Sequence, residues 1–549
     1  MKKYKIALAQ INPVLGNLDY NKKVIIKIIK RVEKKADLIV FPELSLVGYP
    51  PEDLILRKTL LDEVERHLED IRECAKKSKI AVIVGAPMVL GKGIGNAAIY
   101  LNCNQKSVLF KNNLPNYGVF DEKRIFIKGP NYSSIKLKKL KIGLMICEDM
   151  WTDRIAKRLI KNKIDLFICI NASPYDHEKQ RARYKVAKNI TTLSKKMLIY
   201  VNQVGGQDEL VFDGGSFILN GFGDVVYNLK NWKEDIKIID FSIDNSKLSK
   251  TKIAFNKIEK DKEHNTWNAL VLGLRDYVNK NSFNKVILGL SGGIDSAVSA
   301  AIAVDAVGPS NVIGIKLPSK FSSKGSIIDA EESIRLLGIK SDTISINNIY
   351  TTFLKTLNEN FKGKISNLTE ENLQSRIRGV LLMAYSNNFS YLLISTGNKS
   401  EMSVGYSTIY GDMNGGFNVL KDIYKTELYK LANWRNRLKK NLFKGPTLNV
   451  IPLNSINKPP SAELSHNQKD SDSLPTYEIL DKILFYFIEK EFSIEQICKK
   501  GYSVSVVKKV RNLLLKSEYK RRQAPPGVKV SIKSFGKERR YPITNKFKV

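Results

Sequence analysis

KVILGLSGGIDSAVSAAIAVDAVG, residues 285–308, decides the fold of the second half of this chain. The apolar run 286–290 has strand length and the Ala/Val-rich segment after Ser296 has helix length, so residues 291–296 form the turn between them. Gly292 and Gly293 lack a Cβ, which lets backbone approach a ligand closely, and the N–H groups opening the following helix point at an anion. Asp295 would repel a bare anion, so its presence points to a metal ion bridging the carboxylate to a polyphosphate.

Outward from that turn, NVIGIKLP (311–318), SSKGSIIDAEESIRLLG (322–338) and SDTISI (341–346) read as strand, helix and strand. That rhythm predicts a doubly wound, Rossmann-like parallel sheet with covering helices, whose ligands lie at the carboxyl ends of the strands. SGGIDS and LPSKFSS (317–323) both fall there. Farther on, ENLQSRIRG (371–379) is read as placing Arg376 and Arg378 near a helix start, and YLLISTGNKSEMSVGYSTIYGD (391–412) as a strand opening into a polar loop with Glu401 and Asp412. Residues 441–455 fit no motif.

The first half alternates short apolar strands with amphipathic helices predicted at 20–35, 58–78 and 177–195, an α/β pattern of at least two layers. Three strand ends carry reactive groups: Glu43 after ADLIVFP, Lys111 after KSVLF and Cys147 after KIGLMI. Polar groups at the point where buried strands emerge are how catalytic sets are mounted on sheets. A polar, lysine-rich stretch divides the halves, giving domains at 1–245 and 263–549 with a linker at 246–262.

Composition narrows the function classes. At 549 residues the chain exceeds one ordinary core, and its 43% hydrophobic and 26% charged content argues against a largely disordered protein. The five cysteines show no CxxC spacing and the four histidines do not cluster near them, so neither a zinc site nor a disulfide framework is indicated. No apolar run approaches bilayer length, which places the protein in the cytoplasm with no membrane partner. The net charge of +35 is spread along the chain, unlike the patch or tail of a nucleic-acid binder, so no nucleic acid is expected as a partner.

Several motifs resemble known families. SGGIDS resembles the pyrophosphate-binding loop of the ATP pyrophosphatases, which implies transfer of AMP from ATP. FPELSLVGYP (41–50), KNNLPNYGVFDEKRIF (111–126) and ICEDMW (146–151) together resemble the nitrilase superfamily, which implies an αββα sandwich. By that resemblance Cys147 is the nucleophile, Glu43 the proton acceptor and Lys111 the cation that favours thiolate and oxyanion, with Glu122 assisting the lysine. The neighbours resemble the glutaminase branch, implying that Tyr49, Tyr117, Glu148, Trp151, Ser173 and Lys179 hold glutamine.

In the second half, SGGIDS, LPSKFSS, ENLQSRIRG, STGNKSEMSVGYSTIYGD and NVLKDIYKTEL (418–428) occur in the order of the NAD synthetase family. KPPSAEL (458–464) and the tail 518–547 resemble its glutamine-dependent branch. The resemblance implies a ligase forming a C–N bond, with ATP as co-substrate, Mg²⁺ as cofactor, deamido-NAD and glutamine as small-molecule substrates, and a homo-oligomer of two or more chains. It assigns ATP to Ser291, Gly292, Gly293, Asp295, Ser296 and Thr396, Mg²⁺ to Asp295 and Glu401, and deamido-NAD to Arg376, Asp412 and Lys425. A tRNA-modifying ATP pyrophosphatase is the alternative, although such enzymes lack a nitrilase half.

Overall fold

A computed structural model describes residues 3–103, 105–130, 134–242, 261–465 and 468–547. The chain divides into two compact units, Met1–Lys260 and Asp261–Val549. The expected linker lies outside the described residues except for Asp261 and Lys262. Those two already open a helix, Lys262–Lys280, because the Asp261 carboxylate accepts the His264 N–H at 3.2 Å and caps it.

The strands of the first unit, in chain order, are β1 (Lys3–Gln10), β2 (Leu38–Val40), β3 (Ala81–Leu90), β4 (Gly93–Leu101), β5 (Lys106–Phe110), β6 (Ser134–Leu137), β7 (Leu140–Ile146), β8 (Leu166–Asn171), β9 (Met197–Asn202), β10 (Val204–Gln207), β11 (Leu210–Asp213), β12 (Phe217–Leu219), β13 (Val225–Asn228) and β14 (Asp235–Ser242). One six-stranded sheet runs β14-β1-β2-β3-β4-β5 and another β13-β12-β9-β8-β7-β6. Strand alternation sorts their side chains. Ile6, Leu8, Val40 and Ile83 of the first sheet pack with Ile142, Leu144, Ile168 and Ile199 of the second. The intervening residues Ala7, Ile39, Val82 and Val84 cluster with helices Leu18–Val32 and Lys58–Lys77, while Phe167, Cys169 and Leu198 cluster with Asp153–Lys161 and Lys179–Ser194. The result is the expected αββα sandwich. Helix Asp153–Lys161, which sequence reading missed, begins two residues after the CEDMW turn and buries Ile155, Ala156 and Leu159.

The second unit carries β15 (Val286–Gly289), β16 (Val312–Lys316), β17 (Lys340–Thr343), β18 (Leu392–Ser395) and β19 (Phe417–Asn418). They form one parallel sheet in the order β17-β16-β15-β18-β19. The order reverses direction between β15 and β18, which opens a crevice at their carboxyl ends. Helix Ile294–Val307, rich in Ala and Val, is buried along nearly its whole length, and its buried Asp305 pairs with Arg435 at 2.7 Å. Helix Asn367–Phe389 starts earlier than expected because Ser366 caps it, its side chain accepting from Thr369 N, so Arg376 and Arg378 sit in mid-helix instead of near a helix start. Likewise Glu401 is not in a loop but in helix Lys399–Val404, capped by Asn398. The tail folds back: Asp422 accepts from Val530 N at 2.8 Å and Ser531 N at 2.7 Å and pairs with buried Lys399 at 2.8 Å.

Candidate active sites

In the first unit the three strand ends meet. Lys111 Nζ donates to Glu43 Oε1 and to Glu122 Oε1, each at 2.7 Å, with all three side chains buried. Glu43 also accepts from Asn96 Nδ2 at 2.8 Å and from Ala172 N at 2.9 Å, and Glu122 accepts from the Tyr49 hydroxyl at 2.8 Å. Cys147 follows β7 with φ +44°, a left-handed conformation that a residue with a Cβ adopts only at some cost.

The charges are strongly coupled. Burial pushes the Lys111 ammonium down, but the Glu122 and Glu43 carboxylates outweigh it and hold the group well above the usual lysine range. Burial, with Glu43 beside it, pushes the Glu122 carboxyl up to about 7 against the pull of Lys111. Burial and then Glu43 also push the Cys147 thiol well up, and Lys111 pulls it down only in part. Lys111 thus acts in the expected direction, toward the thiolate, while burial and Glu43 outweigh it. Burial first, and the Glu43 carboxylate second, hold the resting group toward the thiol, whose proton must then leave as the bond forms.

Around this network the Tyr117 hydroxyl donates to the Glu148 carboxylate at 3.1 and 3.0 Å, and Lys179 Nζ lies 4.6 Å from the centre of the Trp151 ring. Burial raises Glu148 and lowers Lys179, which leaves one carboxylate and one ammonium poorly satisfied and close enough to influence each other. That is a site for a small zwitterion. Two expected rim residues are placed differently. Tyr49 is committed to Glu122 inside the network, and the Ser173 hydroxyl accepts from Arg183 Nε at 3.1 Å.

Sequence reading missed the supports. Arg183 is fully buried, pairs with Asp213 at 2.8 Å and donates to the Ser173 and Pro174 carbonyls at 2.7 and 3.0 Å. It thereby holds the segment whose Ala172 N–H meets Glu43. Asp149, pushed up to about 6 by burial, accepts backbone N–H groups near both Lys111 and Cys147. Asp149 was visible in ICEDMW, but nothing along the chain shows its partners.

In the second unit a cavity of about 610 Å³ opens at the strand ends, lined by Ser291, Gly293, Asp295, Ser296, Thr396, Glu401, Asp412 and Lys425. Ser296 Oγ donates to the Gly293 carbonyl at 3.0 Å and accepts from Ser291 N at 3.3 Å, closing the turn on itself. Gly292 has φ +76°, and a Cβ there would meet the Ser326 carbonyl oxygen at 2.1 Å, so only glycine fits. Its own carbonyl accepts from Ser455 Oγ at 2.9 Å, which gives a role to the 441–455 stretch that matched no motif. Arg376 is exposed and donates to the Ile409 carbonyl at 3.3 Å; Arg378 lines the cavity in its place. Lys458, of KPPSAEL, pairs with Asp329 at 2.9 Å, and Glu463 accepts from Ser326 Oγ at 2.6 Å.

Asp295 and Glu401 converge on one cation. Lys425 Nζ bonds to Asp295 Oδ2 and lies 3.3 Å from Glu401 Oε1, while Asn398 Nδ2 donates to Asp295 Oδ1 at 2.7 Å. Burial and then Asp295 push Glu401 up to about 8, the mark of two carboxylates sharing one site. Two hard oxygen donors without a third suit Mg²⁺, which completes its shell with water and phosphate oxygens. Among the described residues no group of three or more His, Cys, Asp or Glu side chains could hold a metal unaided.

Comparison with known proteins follows the same division. The family described as carbon-nitrogen hydrolase matches residues 5–252, and that described as NAD synthase matches 266–524. The chain is 43% identical to the glutamine-dependent NAD(+) synthetase of Acinetobacter baylyi over 99% of both chains, and 41% identical to that of Thermotoga maritima over the whole of both. Among solved structures, a glutamine-dependent NAD(+) synthetase from Acinetobacter baumannii, in complex with adenosine diphosphate, is 40% identical with a TM-score of 0.77 and 99% coverage of each chain.

Proposed function

The chain belongs to the glutamine-dependent NAD(+) synthetases, and on that premise we infer that it makes NAD from deamido-NAD and ATP with nitrogen taken from glutamine. These relatives span the whole chain, so the tRNA-modifying alternative is set aside. The observation that carries the reading is the presence in one polypeptide of the Cys147–Glu43–Lys111 constellation and of a nucleotide-sized cavity lined by the SGGIDS turn.

In the first unit the glutamine α-ammonium lies by Glu148 and Tyr117, and its α-carboxylate by Lys179. Cys147 attacks the side-chain amide as Glu43 accepts the thiol proton, and the oxyanion that forms is met by the Lys111 ammonium. Glu43 passes its proton to the departing ammonia, then takes one from the water that hydrolyses the thioester to glutamate. Glu122 and Tyr49 hold Lys111 in place throughout.

In the second unit the turn 291–296 cradles the ATP phosphates on backbone N–H groups and serine hydroxyls, with Thr396 on the nucleotide. Asp295 and Glu401 would hold Mg²⁺, which supplies charge neutralisation of the phosphates. A carboxylate is too poor an electrophile for ammonia, so the nicotinate carboxylate of deamido-NAD first displaces pyrophosphate and becomes an acyl adenylate. Ammonia then displaces AMP. Asp412 and Lys425 are assigned to the deamido-NAD side, with Arg378, which lines the cavity, in the place expected for Arg376. The enzyme works in the cytoplasm as a homo-oligomer of at least two chains.

The test is NAD formation from deamido-NAD, ATP and Mg²⁺ with either glutamine or ammonium chloride. Cys147→Ala should lose the glutamine-driven reaction and keep the ammonium-driven one. A native chain that makes no NAD from either nitrogen source would sink the reading.

A further inference from the structure

Lys111 leaves β5 and Cys147 leaves β7, strands that belong to different sheets of the sandwich. Apolar packing between two sheets is not directional and does not by itself fix the register of one strand end against another. Asp149 does. Its Oδ1 accepts the N–H groups of Asn112 and Asn113, the two residues after Lys111, at 3.0 and 2.8 Å, and its Oδ2 accepts Ile146 N, the residue before Cys147, at 3.2 Å. The carboxylate is buried, so these bonds are strong and cannot be replaced by water. Arg154, on the helix that follows, reaches the same segment, donating to Asn112 Oδ1 at 2.7 Å and Asn113 Oδ1 at 3.3 Å. We infer that Asp149, assisted by Arg154, is a positioning residue that clamps one sheet to the other and sets Lys111 against Cys147 for attack on the amide.

The inference rests on the reading of Cys147 as glutaminase nucleophile. In that reading Asp149 acts on the backbone beside Lys111 and Cys147 and not on the glutamine, so its loss should appear in kcat and not in KM. Misplacing a catalytic group by about 1 Å costs on the order of 100-fold.

The experiment compares full-length Asp149→Asn and Arg154→Ala with the native chain and Cys147→Ala, driven by glutamine and by ammonium chloride. Asp149→Asn keeps the side-chain size but turns one acceptor into a donor facing backbone N–H groups. Its kcat with glutamine should fall by about 30-fold or more, with KM for glutamine within about threefold and the ammonium-driven rate unchanged. Arg154 is exposed, so its loss is tolerated by the fold, and its kcat should fall by about three- to tenfold. Should Asp149→Asn fail to fold, Arg154→Ala decides alone. Unchanged kcat in every folded variant overturns the inference, as does a raised KM with kcat intact, which marks a binding role. Glutamine-driven activity in Cys147→Ala is a separate result: it overturns the nucleophile reading, and this inference with it.

Discussion

At the scale of single residues, the hydrolase centre is a buried cation held between two carboxylates. Its net charge is one negative unit when both are ionised, in a place where burial makes that charge costly. Glu122 absorbs the strain by titrating high, at about 7 against an ordinary value of 4.5. A carboxyl whose pKa is raised by folding binds its proton more tightly in the folded state, so it lowers stability as pH climbs from about 4.5 to 7 and has no further effect above that window. Glu122→Gln removes this dependence. Urea unfolding between pH 5 and 8 should show native stability falling relative to the variant up to about pH 7, then running parallel. Parallel curves across the whole range would show that Glu122 is not the group that titrates.

At the scale of elements, the sandwich places reactive groups on strand ends and then fixes those ends with polar bonds beneath the surface. Arg183 does this for helix Lys179–Ser194, pairing with Asp213 at the end of β11 and holding the two carbonyls after Ala172. Arg183→Met keeps the apolar bulk but leaves Asp213 buried without its partner. The expected cost is about 3–5 kcal/mol in the unfolding of the first unit, read by calorimetry on the whole chain, and Arg183→Met with Asp213→Leu should recover part of it. A loss below about 1 kcal/mol would mean water reaches the pair. The second unit uses the same device differently: Ser455 braces the Gly292 carbonyl, and Asp422 ties down the tail.

At the scale of the whole molecule, the two units differ in what they need. In the proposed reading the first carries out acyl transfer at Cys147, and the second handles polyphosphate, for which Asp295 and Glu401 would supply hard oxygen ligands. Chelation with excess EDTA should therefore stop NAD formation from glutamine and from ammonium chloride alike, by more than about 100-fold, and added Mg²⁺ should restore both. Full activity in EDTA with either nitrogen source would sink the proposed metal role. Among the described residues no helix is long and apolar enough to cross a membrane.

The sequence by itself determined the α/β class of both halves and, through motifs that resemble known families, pointed to the candidate reacting groups. Strand alternation, the turn 291–296 and the polar residues at strand ends are local patterns, and each survives in the structure because its physics lies within a few adjacent residues. Glu43, Lys111 and Cys147 stood out as polar groups at strand ends, but their roles, like the metal role of Asp295, were implied by the family resemblance of the motifs around them. Only the tertiary structure decided what each group experiences. Burial and the Glu43 carboxylate push the Cys147 thiol up, and Lys111 is shared between Glu43 and Glu122, which lie 79 residues apart in the chain; no spacing reveals either. Arg378 and not Arg376 lines the cavity because both lie inside one helix, where residues two apart point nearly opposite ways. Asp149, Arg183 and Ser455 escaped because a hydrogen bond to backbone leaves no trace in the partner's residue type: any amide or carbonyl brought near by the fold will serve.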